Sequence, residues 1–470
     1  MKRLFTPLFS LPLLLALLLS QSAEAQQLPV ESYALSRSIL QQLIAINTTS
    51  AYGTTAAAQA IVARLQSAGY AAEDIQLLAP ENHPERANVV VRLHGAQKAR
   101  PLLYIGHLDV VEAKRADWSM EPFELTENDG WLYGRGTIDM KGQDSVLLAS
   151  MMTLKQQGFI PDRDIIAAFT ADEEQGDANG VAWLLKQHRD LIDAALVINP
   201  DGGEADIKNG RKIVLALQTS EKLYMTFSLQ ATDKGGHSSR PTAQNPIYRL
   251  ARGLERLSEF HFPVHLTATT QQYFQQAAAL EQGQARQDML AVAKGNPTPS
   301  VLRRLSADLD KDLLLRSTCT ATMLEGGHAE NALPQRAMAT IQCRVIPGET
   351  PEQIMHTLAQ VIHDPAVTVT SLSHITLSPE SRITADILTP LQQVVHGLWP
   401  EVMVVPQMSP GASDSIYTRA AGMQTFGIDG MFSDIDDDRF HGRDERISVQ
   451  AFKEELDFTY QLMRRLSAVP

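Results

Sequence analysis

Between about Gln41 and Asn199, short apolar runs alternate with stretches whose apolar residues recur every three or four positions. "ANVVVRL", "LLYIGH", "IIAAFT" and "AALVIN" are short, apolar and largely β-branched, which predicts buried strands. Between the second and third, the spacing predicts a helix from about Gly142 to Gln157. Val146, Leu147, Ser150, Met151 and Leu154 form its buried stripe, and Gly158 ends it. Such alternation indicates an α/β fold, a sheet covered by helices. In these sheets, ligands bind beyond the carboxyl ends of the strands.

The period changes near Ser220. "KLYMTFSLQA", "CTATML", "AMATIQCRV" and "AVTVTSL" alternate apolar and polar residues, as half-solvated strands do. A polar, helix-favouring insert lies between Tyr273 and Leu314. Residues 220–375 therefore read as an inserted α+β domain, with 26–219 and 376–470 as the two parts of one α/β domain. The second part contains a strand in "MQTFGID" and a final helix from Ser448, whose apolar face is Val449, Phe452, Leu456, Met463 and Leu466. There is no internal repeat.

The N-terminus changes the picture. Lys2 and Arg3, an apolar core from Leu11 to Leu19, and Ala23-Glu24-Ala25 make residues 1–25 a secretory signal, so the mature protein is expected to be exported, periplasmic or secreted. No later run is long enough to span a bilayer. Removing the signal takes away Lys2, Arg3 and Glu24 and moves the formal charge from −13 to −14. An acidic chain without basic, aromatic-interleaved clusters is not built for nucleic acid. Cys319 and Cys343 are too few for a disulfide scaffold and lack metal-ligand spacing. In an oxidising compartment they can pair, and two unlinked core thiols are an equal alternative.

The candidate chemistry begins in "YIGHLDVV", where His107 and Asp109 share one face at the end of a buried strand. An unpaired buried charge costs several kcal/mol, so something must satisfy them. Asp139 in "LYGRGTIDMKG", Glu173-Glu174 in "TADEEQG", Asp201 in "NPDGG" and His441 in "FHGRDERIS" are the other candidates. Imidazole and carboxylate without thiolate suit zinc, cobalt or manganese. Two histidines and three carboxylates suffice for two ions if one carboxylate bridges. Ions about 3.5–4 Å apart share a water that loses a proton near neutral pH. Adjacent Glu173 and Glu174 divide naturally into one ligand and one general base. Each feature alone has an ordinary structural reading: a solvated acidic pair, a turn aspartate, a core histidine. "GRGTIDMKG" lacks the phosphate-loop pattern, and "GGHSS" is not a serine-nucleophile elbow. Order and joint placement at strand ends carry the reading.

Taken together, "GHLDVV", "LYGRGTIDMKG", "TADEEQG", "GGHSSRP", "GGHAENALP", "RVIPG", "GASDS" and "HGRDERI" resemble the family of two-zinc exopeptidases and amidohydrolases that includes carboxypeptidase S, glutamate carboxypeptidase, aminoacylase and succinyl-diaminopimelate desuccinylase. The insert and the final motif resemble most the carboxypeptidase S and secreted N-acyl-amino-acid hydrolase branch. The resemblance implies a mixed-sheet zinc-exopeptidase-like catalytic domain with an inserted lid or dimerisation domain, and two Zn2+, with Co2+ or Mn2+ as substitutes. His107 and Asp201 would hold one ion and Glu174 and His441 the other, with Asp139 bridging. Glu173 would be the base and Asp109 the support of His107. His237 would stabilise the oxyanion, reaching across from a second subunit in dimeric relatives. Asn331, Arg344 and the backbone of Gly411 would receive the substrate carboxylate, a task suited to the planar fork of arginine.

Three departures stand out. Gln342 occupies a place where the family often has an acid, Asp201 stands where several relatives carry Glu with Glu204 nearby, and the 273–314 insert can reshape the pocket mouth or a dimer contact. The implied reaction is hydrolysis of an amide bond next to a free carboxylate in a small peptide. The alternative is deacylation of an N-acyl amino acid, and the resemblance leaves open both a monomer and a homodimer through the inserted domain. A zinc-binding protein without catalysis is the reading from another class, against which the intact Glu173 argues.

Overall fold

Leu102–His107 lies in the middle of a ten-stranded mixed sheet, and its unbroken apolar run follows from that position. A computed structural model describes residues 28–372 and 375–469, so the proposed signal segment lies outside the described residues. Ile165–Thr170, Leu102–His107, Leu196–Asn199 and Gln424–Gly427 run parallel, side by side. Asn88–Leu93 and Ile75–Leu78 extend one side antiparallel. Arg211–Glu221 continues the other side and pairs with both Ala205–Lys208 and Met403–Ser409.

Both faces of the centre are covered. Leu102 and Tyr104 join the apolar cluster formed with the helices Glu31–Ala45, Lys141–Gln156 and Val449–Ser467. Leu103 and Ile105 face Val181 and Leu184 of the helix Gly180–Gln187. A strand buried on both faces has no polar side, which is why its sequence does not alternate.

The helix predicted between the second and third of these runs spans Lys141–Gln156, and Lys141 through Leu154 are all buried. A single apolar stripe therefore understates its burial. It sits between the sheet and the helices Glu31–Ala45 and Val449–Ser467, so its polar face is enclosed as well. Lys141 is accommodated because its Nζ donates to the carbonyls of Leu43 and Ile46, at 2.9 and 2.8 Å.

The alternating segments form a separate four-stranded antiparallel sheet, in the order Thr318–Gly326, Arg336–Val345, Leu223–Thr232, Val367–Ser371. Phe227, Leu229, Ala339 and Ile341 pack beneath Leu250 and Leu257 of the helix Pro246–Glu259 and Ile354 and Leu358 of the helix Pro351–Ile362. Cys319 and Cys343 are register partners on adjacent strands and are joined by a disulfide, which decides the alternative left open above. The insert folds into the helices Ala268–Ala277, Gly283–Ala293, Pro299–Leu305 and Leu309–Leu315. Their apolar faces cluster with Val405 and Met408 of the large sheet rather than with the core of the small one. Among the described residues, no helix is long and apolar enough to cross a membrane.

Candidate active site

The parallel strands deliver four acidic or imidazole side chains to one rim. His107 ends its strand, Glu173 and Glu174 follow Ile165–Thr170, and Asp201 lies in the single turn Pro200–Gly202 after Leu196–Asn199. Asp139 comes from the loop before Lys141–Gln156, and His441 from the loop before the short strand Arg446–Ser448. His107 Nε2 lies 3.0 Å from Asp139 Oδ1, and His441 Nε2 lies 2.9 Å from Asp139 Oδ2. One carboxylate thus faces two imidazoles, one with each oxygen. His441 Nε2 is also 3.2 Å from Glu174 Oε1.

Charge crowding marks the site. Burial, and then the charge of Asp201, pushes the Glu173 carboxyl well above its ordinary range. Burial also raises Asp201 well above its range, with His107 opposing and Asp139 reinforcing the shift. Burial acts the same way on Asp139, yet hydrogen bonding to His107 and His441 outweighs it and holds that carboxyl low. Hydrogen bonding to Asp139, then to Glu174, raises His441 to about 10. Four carboxylates around two imidazoles leave surplus negative charge that divalent cations would neutralise. Ligand atoms of His107, Asp139 and Glu174 all lie within 4.8 Å of one another. Glu174 Oε1 is buried with no donor besides the neighbouring His441. Nitrogen and oxygen donors without thiolate fit zinc and its borderline neighbours. The residues fit a metal.

Two supports hold this arrangement. His107 Nδ1 lies 3.0 Å from the carbonyl oxygen of Asp109, whereas the Asp109 carboxylate is 3.7 Å away. That carboxylate instead accepts the backbone N–H of Glu173 at 3.2 Å and of Glu174 at 3.0 Å. Asp109 therefore touches both sides of the site, its carbonyl oxygen facing His107 and its carboxylate holding the acidic pair. The second support escaped the sequence reading. Glu445 is fully buried and accepts the N–H groups of Gly136 (3.0 Å), Ile138 (2.6 Å) and Asp139 (3.1 Å). It also accepts from Arg135 Nη1 at 2.6 Å. Arg135 Nη2 in turn donates to the carbonyls of His441 and Gly442, at 3.3 and 3.0 Å. The pair ties the loop of Asp139 to the loop of His441. The signal for it was present in "GRGTID" and "DER", but only as two unconnected motifs.

Residues 103–465 match the model of the family described as Peptidase family M20/M25/M40. The chain belongs to family M20. Its members' shared chemistry makes it a metal-dependent hydrolase. It is 30% identical over 380 residues to "Probable carboxypeptidase S-like 2" of Dictyostelium discoideum, covering 78% of this chain and 72% of that one. It is 28% identical over 376 residues to human "N-fatty-acyl-amino acid synthase/hydrolase PM20D1", covering 78% and 74%. An M20 family metallo-carboxypeptidase from Sulfolobus solfataricus has the same fold, with a TM-score of 0.66 at 16% identity over 92% of this chain and 99% of that one. A dinuclear metal binding peptidase of the M20 family from Bacillus subtilis superposes with a TM-score of 0.59 at 12% identity, covering 92% and 97%.

In this M20 chain, Asp139, Glu173, Glu174, Asp201 and His441 line one cavity of about 1070 Å³, with His107 buried behind it. Gly411 lines the same cavity, but its N–H already donates to Ser409 Oγ at 3.0 Å. Three other expected site residues stand apart. His237 is exposed on the two-residue ribbon Gly236–His237, paired with Ala332–Leu333, and lines a separate cavity with Arg240 and Leu333. Asn331 is exposed beside it, its carbonyl accepting the N–H of Ser238 at 3.1 Å. Arg344 lies on the small sheet with its guanidinium 4.9 Å above the Tyr224 ring, and its Nη1 is buried without a hydrogen-bond partner. Gln342 does not orient it, since its amide donates to the carbonyl of Cys343. Glu204 is exposed and accepts from Gln407 at 2.6 Å, outside the cluster.

Proposed function

We propose that this chain is an exported hydrolase that holds two zinc ions and cleaves an amide bond next to a free carboxylate. The observation that carries the reading is the placement of Asp139 between His107 and His441, with Glu174 beside the second imidazole. His107 and Asp201 would hold one ion, Glu174 and His441 the other, and Asp139 both. The metals, when bound, supply the Lewis acidity that activates water and polarises the amide carbonyl.

The chain's own groups do the rest. Glu173 takes the proton of the attacking water and passes it to the departing nitrogen. Asp109 keeps Glu173 and Glu174 in place through their backbone N–H groups. Arg344, with a buried donor to spare, receives the substrate carboxylate together with Asn331. The small four-stranded unit acts as a lid, and its closure, or a second subunit, brings His237 to the developing oxyanion. The names of the relatives support both a peptidase and an N-acyl-amino-acid hydrolase.

Hydrolysis of dipeptides and N-acyl amino acids, measured with metal analysis before and after chelation, tests the reading. Two zinc ions per chain and loss of turnover on chelation, restored by added zinc, are expected. Full activity after complete metal removal would overturn it.

A further inference from the structure

The proposed reaction leaves the motif "GASDS" without a task. Gly411 lines the cavity with its N–H already bonded, and Ser413, Asp414 and Ser415 are buried. Polar side chains buried together need partners, and these find them in the two acidic turns of the site. Asp414 bridges the ends of the first turn: its Oδ1 accepts from Asn179 Nδ2 at 2.5 Å, and its Oδ2 from Thr170 Oγ1 at 3.4 Å. Thr170 ends the strand Ile165–Thr170, and Asn179 caps the helix Gly180–Gln187 by accepting the N–H of Ala182. Residues 171–178, which carry Glu173 and Glu174, lie between these two fixed points. Ser413 and Ser415 hold the second turn, because Asn199 Nδ2 donates to their hydroxyls at 3.2 and 3.0 Å, just before Asp201.

Both arms meet one anchor. Glu221 Oε2 accepts the N–H of Ser413 at 2.8 Å, and its Oε1 accepts Ser413 Oγ at 2.7 Å. Arg419 Nη1 pairs with the same carboxylate at 3.1 Å, and both side chains are fully buried. Arg419 Nη2 donates to Gln218 Oε1 at 2.6 Å, and Gln218 Nε2 donates to Glu221 Oε1 at 3.2 Å. The Gln218 amide also lies against the Asp201 turn, where a Cβ added to Gly202 would stand 2.9 Å from it. A buried ion pair with its hydrogen bonds filled resists displacement, because moving one partner strands the other charge away from water.

We propose that Ser413 and Asp414 are positioning residues: one segment, fixed by Glu221 and Arg419, clamps the Glu173–Glu174 turn and the Asp201 turn at a set spacing. The clamp thereby places the base relative to the metal site, and it rests on the roles proposed above for Glu173 and Asp201. It acts through other residues, so its loss falls on kcat and on metal retention rather than on KM.

The test opens each arm separately. Asp414→Leu keeps the side-chain shape and removes both acceptors, and Asn199→Ala cuts the arm to Asp201. Asp414→Asn keeps the clamp: its Oδ1 still accepts from Asn179, and its Nδ2 donates to Thr170 Oγ1, whose proton goes to the carbonyl of Gly106 at 3.1 Å. With zinc-loaded protein on Leu-Phe and N-acetyl-phenylalanine, Asp414→Leu and Asn199→Ala should each lower kcat at least about tenfold, with KM within about twofold. Asp414→Asn should recover kcat to within about threefold. The double variant should lose less than the product of the two losses, since one opened arm already frees the spacing. Equal loss in Asp414→Leu and Asp414→Asn, or losses that multiply, overturns the clamp. Should Asp414→Leu not fold, Asn179→Ser opens the same arm, because serine keeps the helix cap and drops the Nδ2 donor.

Two readouts need no turnover. Zinc competition against a chelator should show one ion released about tenfold more readily from Asn199→Ala than from the parent protein. Amide hydrogen exchange on the protein as purified should be about tenfold faster across residues 171–178 in Asp414→Leu, and unchanged there in Asp414→Asn. Exchange that is the same in every variant overturns the clamp and leaves the hydrolase reading intact. An inactive parent protein whose exchange follows the stated pattern does the opposite.

Discussion

Glu445→Gln should damage the metal site from a position that touches no proposed ligand side chain. Glu445 Oε1 accepts the N–H groups of Ile138 and Asp139, and Oε2 accepts Gly136 N–H and Arg135 Nη1, all within 3.1 Å and fully buried. Glutamine has the same shape but turns one of those oxygens into an amide nitrogen. Whichever way the amide sits, two buried donors lose their acceptor and face another donor. At about 1–3 kcal/mol for each unsatisfied buried group, the loss is about 2–6 kcal/mol. The uncompensated Arg135 places it in the upper half of that range, since breaking a buried ion pair costs about 3–5 kcal/mol.

Part of that loss falls on the backbone that aims Asp139. Outer supports of metal ligands typically change affinity about 10- to 100-fold, and zinc affinity should fall by that much. Zinc retention against a competing chelator, thermal unfolding and kcat, measured in parallel, should all move. Arg135→Met combined with Glu445→Gln should cost less than the sum of the single changes, because the stranded guanidinium is gone. A Glu445→Gln protein with unchanged zinc affinity and unchanged unfolding temperature would refute the reasoning.

Three further expectations follow from the same geometry. Glu173→Ala should remove turnover while leaving bound metal nearly unchanged; loss of metal would make Glu173 a ligand and exchange its role with Glu174. His237→Ala should lower kcat more than it raises KM, and an effect confined to KM would count against a role at the oxyanion. Lys222 is buried, with Nζ donating to the carbonyl of Arg316 at 2.7 Å, and burial lowers its pKa from 10.5 to about 8. The charged form is penalised in the fold, so the cost is full below pH 8 and disappears as pH rises towards 10.5. That cost is about 3 kcal/mol, and Lys222→Met, after losing one hydrogen bond, should stabilise by about 2 kcal/mol at pH 7. Denaturant unfolding as a function of pH checks this, and a gain that stays constant from pH 7 to pH 10.5 would sink it.

Much of this protein is local enough to be read from the chain. The apolar runs become strands because period and composition are properties of neighbouring residues, and "LLYIGH" forms Leu102–His107 as its pattern predicts. The rule that ligands gather at the carboxyl ends of parallel strands places His107, Glu173 and Asp201 on one rim without any knowledge of distance. What the chain does not contain is the partner of each group. The stripe expected on Lys141–Gln156 is buried all round because two distant helices close over it. The Asp109 carboxylate turns to the backbone of Glu173 and Glu174, a choice made by loop geometry and not by residue type.

Glu445 lies 306 positions from Asp139 and supports its backbone, and no local pattern can announce a hydrogen bond across that separation. The helical insert shows the same limit. Its amphipathic sequence states that one face must be buried, since exposing it would forfeit the hydrophobic gain. Only the folded chain states against what, and the answer is Val405 and Met408 of the large sheet. Residue chemistry and periodicity are written along the chain; which distant surfaces meet is decided by packing, because burial rewards any apolar partner and geometry alone selects one.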